Sequence, residues 1–178
     1  TATAILQLAE QGKIDLDAEI QKYVPYFPKK KWPVTIRQLL GHLGGISHYQ
    51  NYDVEGRIKE HKNTREAIAI FENFDLVGQP GTYKYSSYGY NLLGAAVEGA
   101  GGMSFGEYMR KNIWDPLEMK NTRLDDPDAL IPNRTRGYRI VNGEIKNSEF
   151  VDVSSRFGAG GAPSTVPDLL KFAKELAS

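Results

Sequence analysis

The chain has 178 residues, with 22 basic and 22 acidic side chains and no cysteine. A chain of this size can bury roughly 70% of its unfolded surface in one domain. Balanced charge argues against nucleic acid or an acidic membrane surface as the main partner, and no apolar run is long enough to span a bilayer. The lack of cysteine excludes disulfides and thiolate metal sites and leaves the compartment open. His42, His48 and His61 do not fall at H-x-x-x-H spacing, so neither a metal nor a cofactor is expected.

In chain order, Ala2 to Gln11 reads as a helix with Ile5, Leu8 and Ala9 on one face and Gly12 as its stop. Asp17 is expected to cap a short helix through Ile20 and Val24 that Pro25 ends. Pro28 to Pro33 is a basic, proline-bounded loop. Thr35 caps a further helix, Ile36 to His42, closed by Gly44-Gly45. Asn51 to Lys62 is polar and expected to be mobile. Asn63 with Glu66 forms a capping box for a helix carrying Ala67, Ile68 and Phe71.

Pro80-Gly81 is strong turn chemistry, and it leads through Tyr83, Tyr85, Ser86 and Ser87 straight into a helix ending near Gly99. Either Ser86 or Ser87 can cap that helix, whose Leu93, Ala96 and Val97 share a face. Tyr85 thus sits on a fixed turn at a helix N-terminus, where unpaired N–H groups favour negative charge and would help a phenolate form. The same geometry also suits an aromatic packing corner. Ser104 and Glu107 make a second capping box, opening a helix through to Ile113-Trp114, with Trp114, Leu117 and Met119 expected in the core.

Asp125 to Asn133 reads as a solvated loop without the spacing of a calcium site. Asn142-Gly143 between Tyr138–Val141 and Glu144–Lys146 is a two-residue hairpin signal. Phe157 to Thr165 is glycine-rich but lacks the Gly-Lys-Ser/Thr of a phosphate loop. Thr165 with Asp168 caps a last helix, Val166 to Ala177. The fold class expected is mostly α with one small β-hairpin.

Several of these stretches resemble the serine β-lactamase-like hydrolases, the group of class C β-lactamases, D-alanyl-D-alanine carboxypeptidases and related esterases. Pro80-Gly81 through Tyr85-Ser86-Ser87 to Leu92-Leu93-Gly94 is similar to the family's Tyr-x-Asn element and its surroundings. Ile36-Arg37-Gln38-Leu39-Leu40-Gly41-His42 resembles the Ile-Arg-x-Leu-Leu-x-His segment, with Leu43-Gly44 where Thr-Ser is usual. Pro116-Leu117-Glu118-Met119 and the Ala159-Gly160-Gly161 to Asp168 run match two scaffold elements, and Gln11 to Asp17 matches the stretch after the nucleophile helix.

The resemblance implies the helical lobe of a two-lobed α+β serine β-lactamase/DD-peptidase fold, with residues 1–178 as one lobe truncated at both ends. It implies acyl transfer on an ester, amide or β-lactam carbonyl of a small-molecule or peptide substrate. Tyr85 would be the catalytic residue that assists proton transfer, and Ser87, Tyr49, Gly160 and Gly161 would line the substrate side. His42 is expected to be structural, and Tyr49 fits a cleft wall or a surface loop. Bacterial relatives are usually periplasmic or extracellular. Two departures matter: Ser87 stands in place of the amide, and no Ser-x-x-Lys occurs anywhere in the chain. A fragment inactive by itself is therefore expected, with a non-catalytic peptide- or ligand-binding module as the alternative.

Overall fold

The computed structural model describes residues 1–50 and 59–177, so most of the stretch expected to be mobile, 51–58, lies outside the described residues. Its organising element is the helix Ser87–Gly101, and the elements around it are α1 (Ala2–Glu10), α2 (Ile36–Leu40), α3 (Thr64–Ala69) and α5 (Phe105–Met109). The central helix, α4, is buried on nearly all sides, at Tyr88, Gly89, Asn91 and every residue from Leu92 to Val97. A helix enclosed in this way needs no single apolar stripe. Glycines set the packing distance. Gly94 lies against the Gly158 backbone, 3.4 Å from where a Cβ would stand, and a Cβ at Gly99 would run into the Tyr23 carbonyl.

Local capping chemistry explains most helix boundaries. Thr35 and Gln38 form a two-sided capping box on α2, and Ser104 and Glu107 do the same on α5. Past Met109, α5 widens into a π-helical turn, Arg110–Trp114, that keeps Ile113 and Trp114 both inside. Met119 is buried and Leu117 packs at the edge of the core. The hairpin forms as the Asn-Gly signal predicts, with β1 (Tyr138–Val141) antiparallel to β2 (Glu144–Asn147). Asn142 and Gly143 take positive φ of 53° and 82°, the conformation of the tight hairpin turn. Thr165 caps α6 (Val166–Leu176) by accepting the Asp168 N–H.

In four places the structure departs from expectation, in two of them because a residue far along the chain supplies the partner. Asp17 caps nothing: its carboxylate grips Arg37 at 2.7 and 2.9 Å. Backbone bonds from Ile20 to Val34 and from Ile36 to Ala18 hold this stretch extended, so only a short 3-10 turn, Ile20–Lys22, follows, and Glu19 is its N-cap. α2 stops at Leu40 because His42 adopts φ 57°. The box at α3 is one-sided: Asn63 accepts the Glu66 N–H, but the Glu66 carboxylate takes the Lys62 N–H instead, and Phe71 lies beyond the helix end. The Asp168 carboxylate is buried away from its own helix start, accepting from the Asn121 N–H at 2.8 Å and the Thr122 hydroxyl at 3.0 Å.

The glycine packing gives a prediction with opposed terms. Gly99→Ala gains helix propensity of about 1 kcal/mol, yet its methyl must displace the Tyr23 backbone. Overpacking against backbone costs roughly 1–3 kcal/mol and should win. Urea unfolding should therefore show a lowered midpoint for Gly99→Ala; a raised midpoint would contradict the close approach.

Candidate active site at the mouth of α4

Two extended segments set the geometry. The amides of Val77, Gly81 and Lys84 donate to the carbonyls of Gly45, Leu43 and His42 at 2.8, 2.8 and 2.9 Å. Gly81 turns the chain with φ 114°, a conformation that favours glycine. This pairing lays Tyr83, Lys84 and Tyr85 beside His42, just before α4 begins. The Lys84 ammonium is anchored on the Val77 carbonyl, 2.6 Å away.

Ser86 is the N-cap. Its hydroxyl accepts the Gly89 N–H at 2.9 Å and donates to the Ser47 carbonyl at 2.7 Å, closing the choice left open between the two serines. The amides of Ser86 and Ser87 donate to Nδ1 of His42 and Nδ1 of His48, each at 3.2 Å. The N–H groups expected to stand free beside Tyr85 are therefore taken, two by imidazoles and that of Gly89 by the cap. They do not point at a phenolate.

Tyr85 is 53% exposed while one side of its ring packs on two imidazoles. Its ring lies 4.5 Å from the His42 ring and 5.2 Å, edge-on, from that of His48. His42 also stacks on Tyr90 at 4.9 Å, and Tyr90 donates its hydroxyl hydrogen to the Leu40 carbonyl at 3.1 Å. Burial, and secondarily a charge on Tyr85, pushes the Tyr90 phenol above its ordinary pKa, so Tyr90 stays a neutral donor. Burial pushes the His42 imidazole below its ordinary value. The two neighbouring phenols are thus in different settings, one enclosed and one open.

The other expected residues belong to one contact network, though most face inward. Ser87, the first residue of α4, is buried. Tyr49 is half-buried, stacked on His48 at 5.0 Å, set edge-on to Tyr88 at 4.9 Å and covered by the Arg156 guanidinium at 4.7 Å. It is packed into the site wall and is not a free surface loop. Gly161 is buried: its N–H donates to the Arg156 carbonyl at 2.9 Å and its carbonyl accepts the Asp125 N–H at 2.7 Å. Gly160, exposed and at φ 151°, is the open member of the pair. The contacts run without a break from Tyr85 through His48, Tyr49 and Arg156 to Gly161.

The glycine loop is also tied to the start of the chain. The Thr1 hydroxyl donates to the Gly158 carbonyl at 2.7 Å, and Asn91 on α4 donates to the Ser155 carbonyl at 2.8 Å. Asn91, Tyr90 and Arg156 were not singled out in the sequence, and His48 was named there only for lacking zinc spacing. Asn91 carries a readable signal, being polar among the apolar residues of α4. His42 was expected at the end of a buried helix, but it lies beyond α2 against Tyr85, holding the turn. A separate cavity of about 520 Å³ opens between Arg134–Gly137 and Asn147–Val151, away from Tyr85.

The site thus has an exposed phenol just before a buried helix and a glycine loop laid against that helix at Gly94. Residues 1–178 match the Beta-lactamase family model, and the chain belongs to that family. It is 31% identical to the human serine beta-lactamase-like protein LACTB, mitochondrial, over 97% of this chain and 44% of LACTB. A penicillin-binding protein of Bacillus halodurans superposes with a TM-score of 0.79 at 27% identity, covering 98% of this chain and 54% of that one. The D-amino acid amidase of Ochrobactrum anthropi gives a TM-score of 0.81 at 26% identity, covering 99% and 53%. The chain therefore spans less than half the length of LACTB and about half of either solved relative.

The cap is testable in isolation. Ser86→Ala removes the acceptor of the Gly89 amide and should cost about 1–2 kcal/mol in urea unfolding. Ser87→Ala removes no capping oxygen and should cost less. Equal losses would contradict the assignment of Ser86.

Proposed function

We propose that residues 1–178 are the helical lobe of a two-lobed serine hydrolase acting by acyl transfer on an ester, amide or β-lactam carbonyl. The observation that carries this reading is Tyr85, whose phenol is open to solvent while its backbone turn is held on both sides. The serine nucleophile and its lysine are supplied from outside these 178 residues, which hold no Ser-x-x-Lys. They would enter from the start of α1, whose Thr1 lies on the glycine loop. Serine and lysine on one helical turn let the amine lower the cost of deprotonating the alcohol.

In this mechanism the serine oxygen bonds to the substrate carbonyl carbon, and Tyr85 assists transfer of the serine proton towards the leaving group. The leaving group departs protonated, and water then releases the acyl group from the serine. Gly160, being exposed, offers backbone to the substrate. Ser87, Tyr49 and Gly161 shape the wall behind it. Ser87 has a shorter reach than an amide and lacks its paired donor and acceptor, which favours ester or peptide substrates over β-lactam turnover. The α6 side chains Val166, Leu169, Leu170 and Leu176 are exposed apolar surface that suits cover by the remaining half of such a fold.

Two measurements test the reading. In the full-length protein, Tyr85→Phe should slow acylation by roughly 10²–10⁴-fold, the usual loss for an acid–base group. Nitrocefin and p-nitrophenyl esters report it, and wild-type turnover would remove Tyr85 from the mechanism. The 178-residue chain by itself should hydrolyse neither substrate. Saturable turnover by that chain would contradict an external nucleophile, and full-length protein that binds but never turns over substrate would favour a ligand-binding module.

A further inference from the structure

The Tyr85 turn depends on two bonds that ordinary capping does not supply. Consecutive backbone amides, those of Ser86 and Ser87, donate to Nδ1 of two different imidazoles. A ring nitrogen accepts a hydrogen bond only when it carries no proton, so each ring must be neutral with its hydrogen on Nε2. We propose that His42 and His48 are positioning residues for Tyr85, holding its turn only while both imidazoles are neutral and releasing it on acidification. Its catalytic consequence rests on the role proposed for Tyr85; the clamp itself does not.

The geometry makes the two rings act on one side chain. Tyr85 contacts both, lying 4.5 Å from the His42 ring and edge-on to His48 at 5.2 Å. Protonation at either Nδ1 sets a ring donor against a backbone donor. Relieving that contact requires the ring to rotate or the amide to withdraw, and either movement shifts the surface on which Tyr85 rests. The amides precede and begin α4, so the movement occurs where the helix axis is fixed by burial and only the turn can yield.

Aromatic rings face both imidazoles. Tyr83 and Tyr85 from the turn and Tyr90 from α4 face His42. Tyr49 and Tyr85 face His48, with the Arg156 guanidinium on the Tyr49 ring. Lys84 is held at the Val77 carbonyl. Among the described residues, no carboxylate is hydrogen-bonded or ion-paired to either imidazole. Burial acts most strongly against protonation of His42; the backbone hydrogen bond with Ser86 opposes that shift, and the charge of His48 adds to it. A histidine whose pKa is lowered by folding favours the folded arrangement above its ordinary value of 6.5 and loses that contribution as pH falls below it.

The test is nitrogen-resolved NMR of both imidazoles in the 178-residue chain, with the Ser86 and Ser87 amide shifts followed as pH is lowered from 8 to 5. At neutral pH both rings should show unprotonated Nδ1 and protonated Nε2, and each amide should move in step with its own imidazole. His48→Asn, which can keep an acceptor oxygen near the Nδ1 position and does not titrate, should flatten the Ser87 response. Rings carrying hydrogen on Nδ1, or amides indifferent to imidazole protonation, would overturn the clamp even if no variant folds. In the full-length protein, His48→Leu should slow acylation by about 10–100-fold, the scale of a misplaced catalytic group. His48→Asn should stay near wild type at neutral pH and keep only the part of the acid limb that His42 carries, and His42→Asn with His48→Asn should remove the limb; an acid limb unchanged in the double variant would overturn the positioning role. Because the NMR needs no substrate, failure of the clamp and failure of the Tyr85 mechanism are separable.

Discussion

The structure depends on the burial of α4 along almost its whole length. A helix packed on every side can present chemistry only near an end, and at the N-terminal end the exposed Tyr85 directly precedes the buried Ser86 cap. Small residues make that burial possible. Gly94 admits the Gly158 loop and Gly99 admits the Tyr23 carbonyl, so neighbouring backbone reaches the helix where side chains would hold it off. The position of the glycine loop relative to Tyr85 follows from these approaches.

The mouth of α4 then divides its labour between covalent neighbours. Ser86 satisfies the helix amide at Gly89, while its own amide and that of Ser87 go to imidazoles from the segment following α2. Tyr85 is left with no capping task and remains open. Tyr90, one turn into the helix, is enclosed and occupied with the Leu40 carbonyl. Two tyrosines five residues apart thus have separate fates, set by burial and not by residue type.

Much of this was legible because it is local. The caps at Thr35, Asn63, Ser86, Ser104 and Thr165, the Asn142-Gly143 turn and the Pro80-Gly81 turn each follow from a few adjacent residues. Tyr85 could be singled out for the same reason. What could not be read depends on partners far along the chain. Asp17 is diverted by Arg37, and Asp168 by Asn121 and Thr122. His42 reaches Ser86 across 44 positions and His48 reaches Ser87 across 39, separations over which no periodicity or spacing rule operates. The free amides expected beside Tyr85 were a sound local inference that two distant imidazoles overrode.

The role proposed for Tyr85 requires the lobe to deliver that phenol to a serine nucleophile carried elsewhere in the protein. The most direct measurement is a crystal structure of the full-length protein acylated on that serine by a slow ester or β-lactam. The Tyr85 hydroxyl should then lie within hydrogen-bond reach of the serine oxygen, about 2.6–3.2 Å. A phenol turned away from the acylated serine, or acylation at a site remote from the mouth of α4, would contradict it.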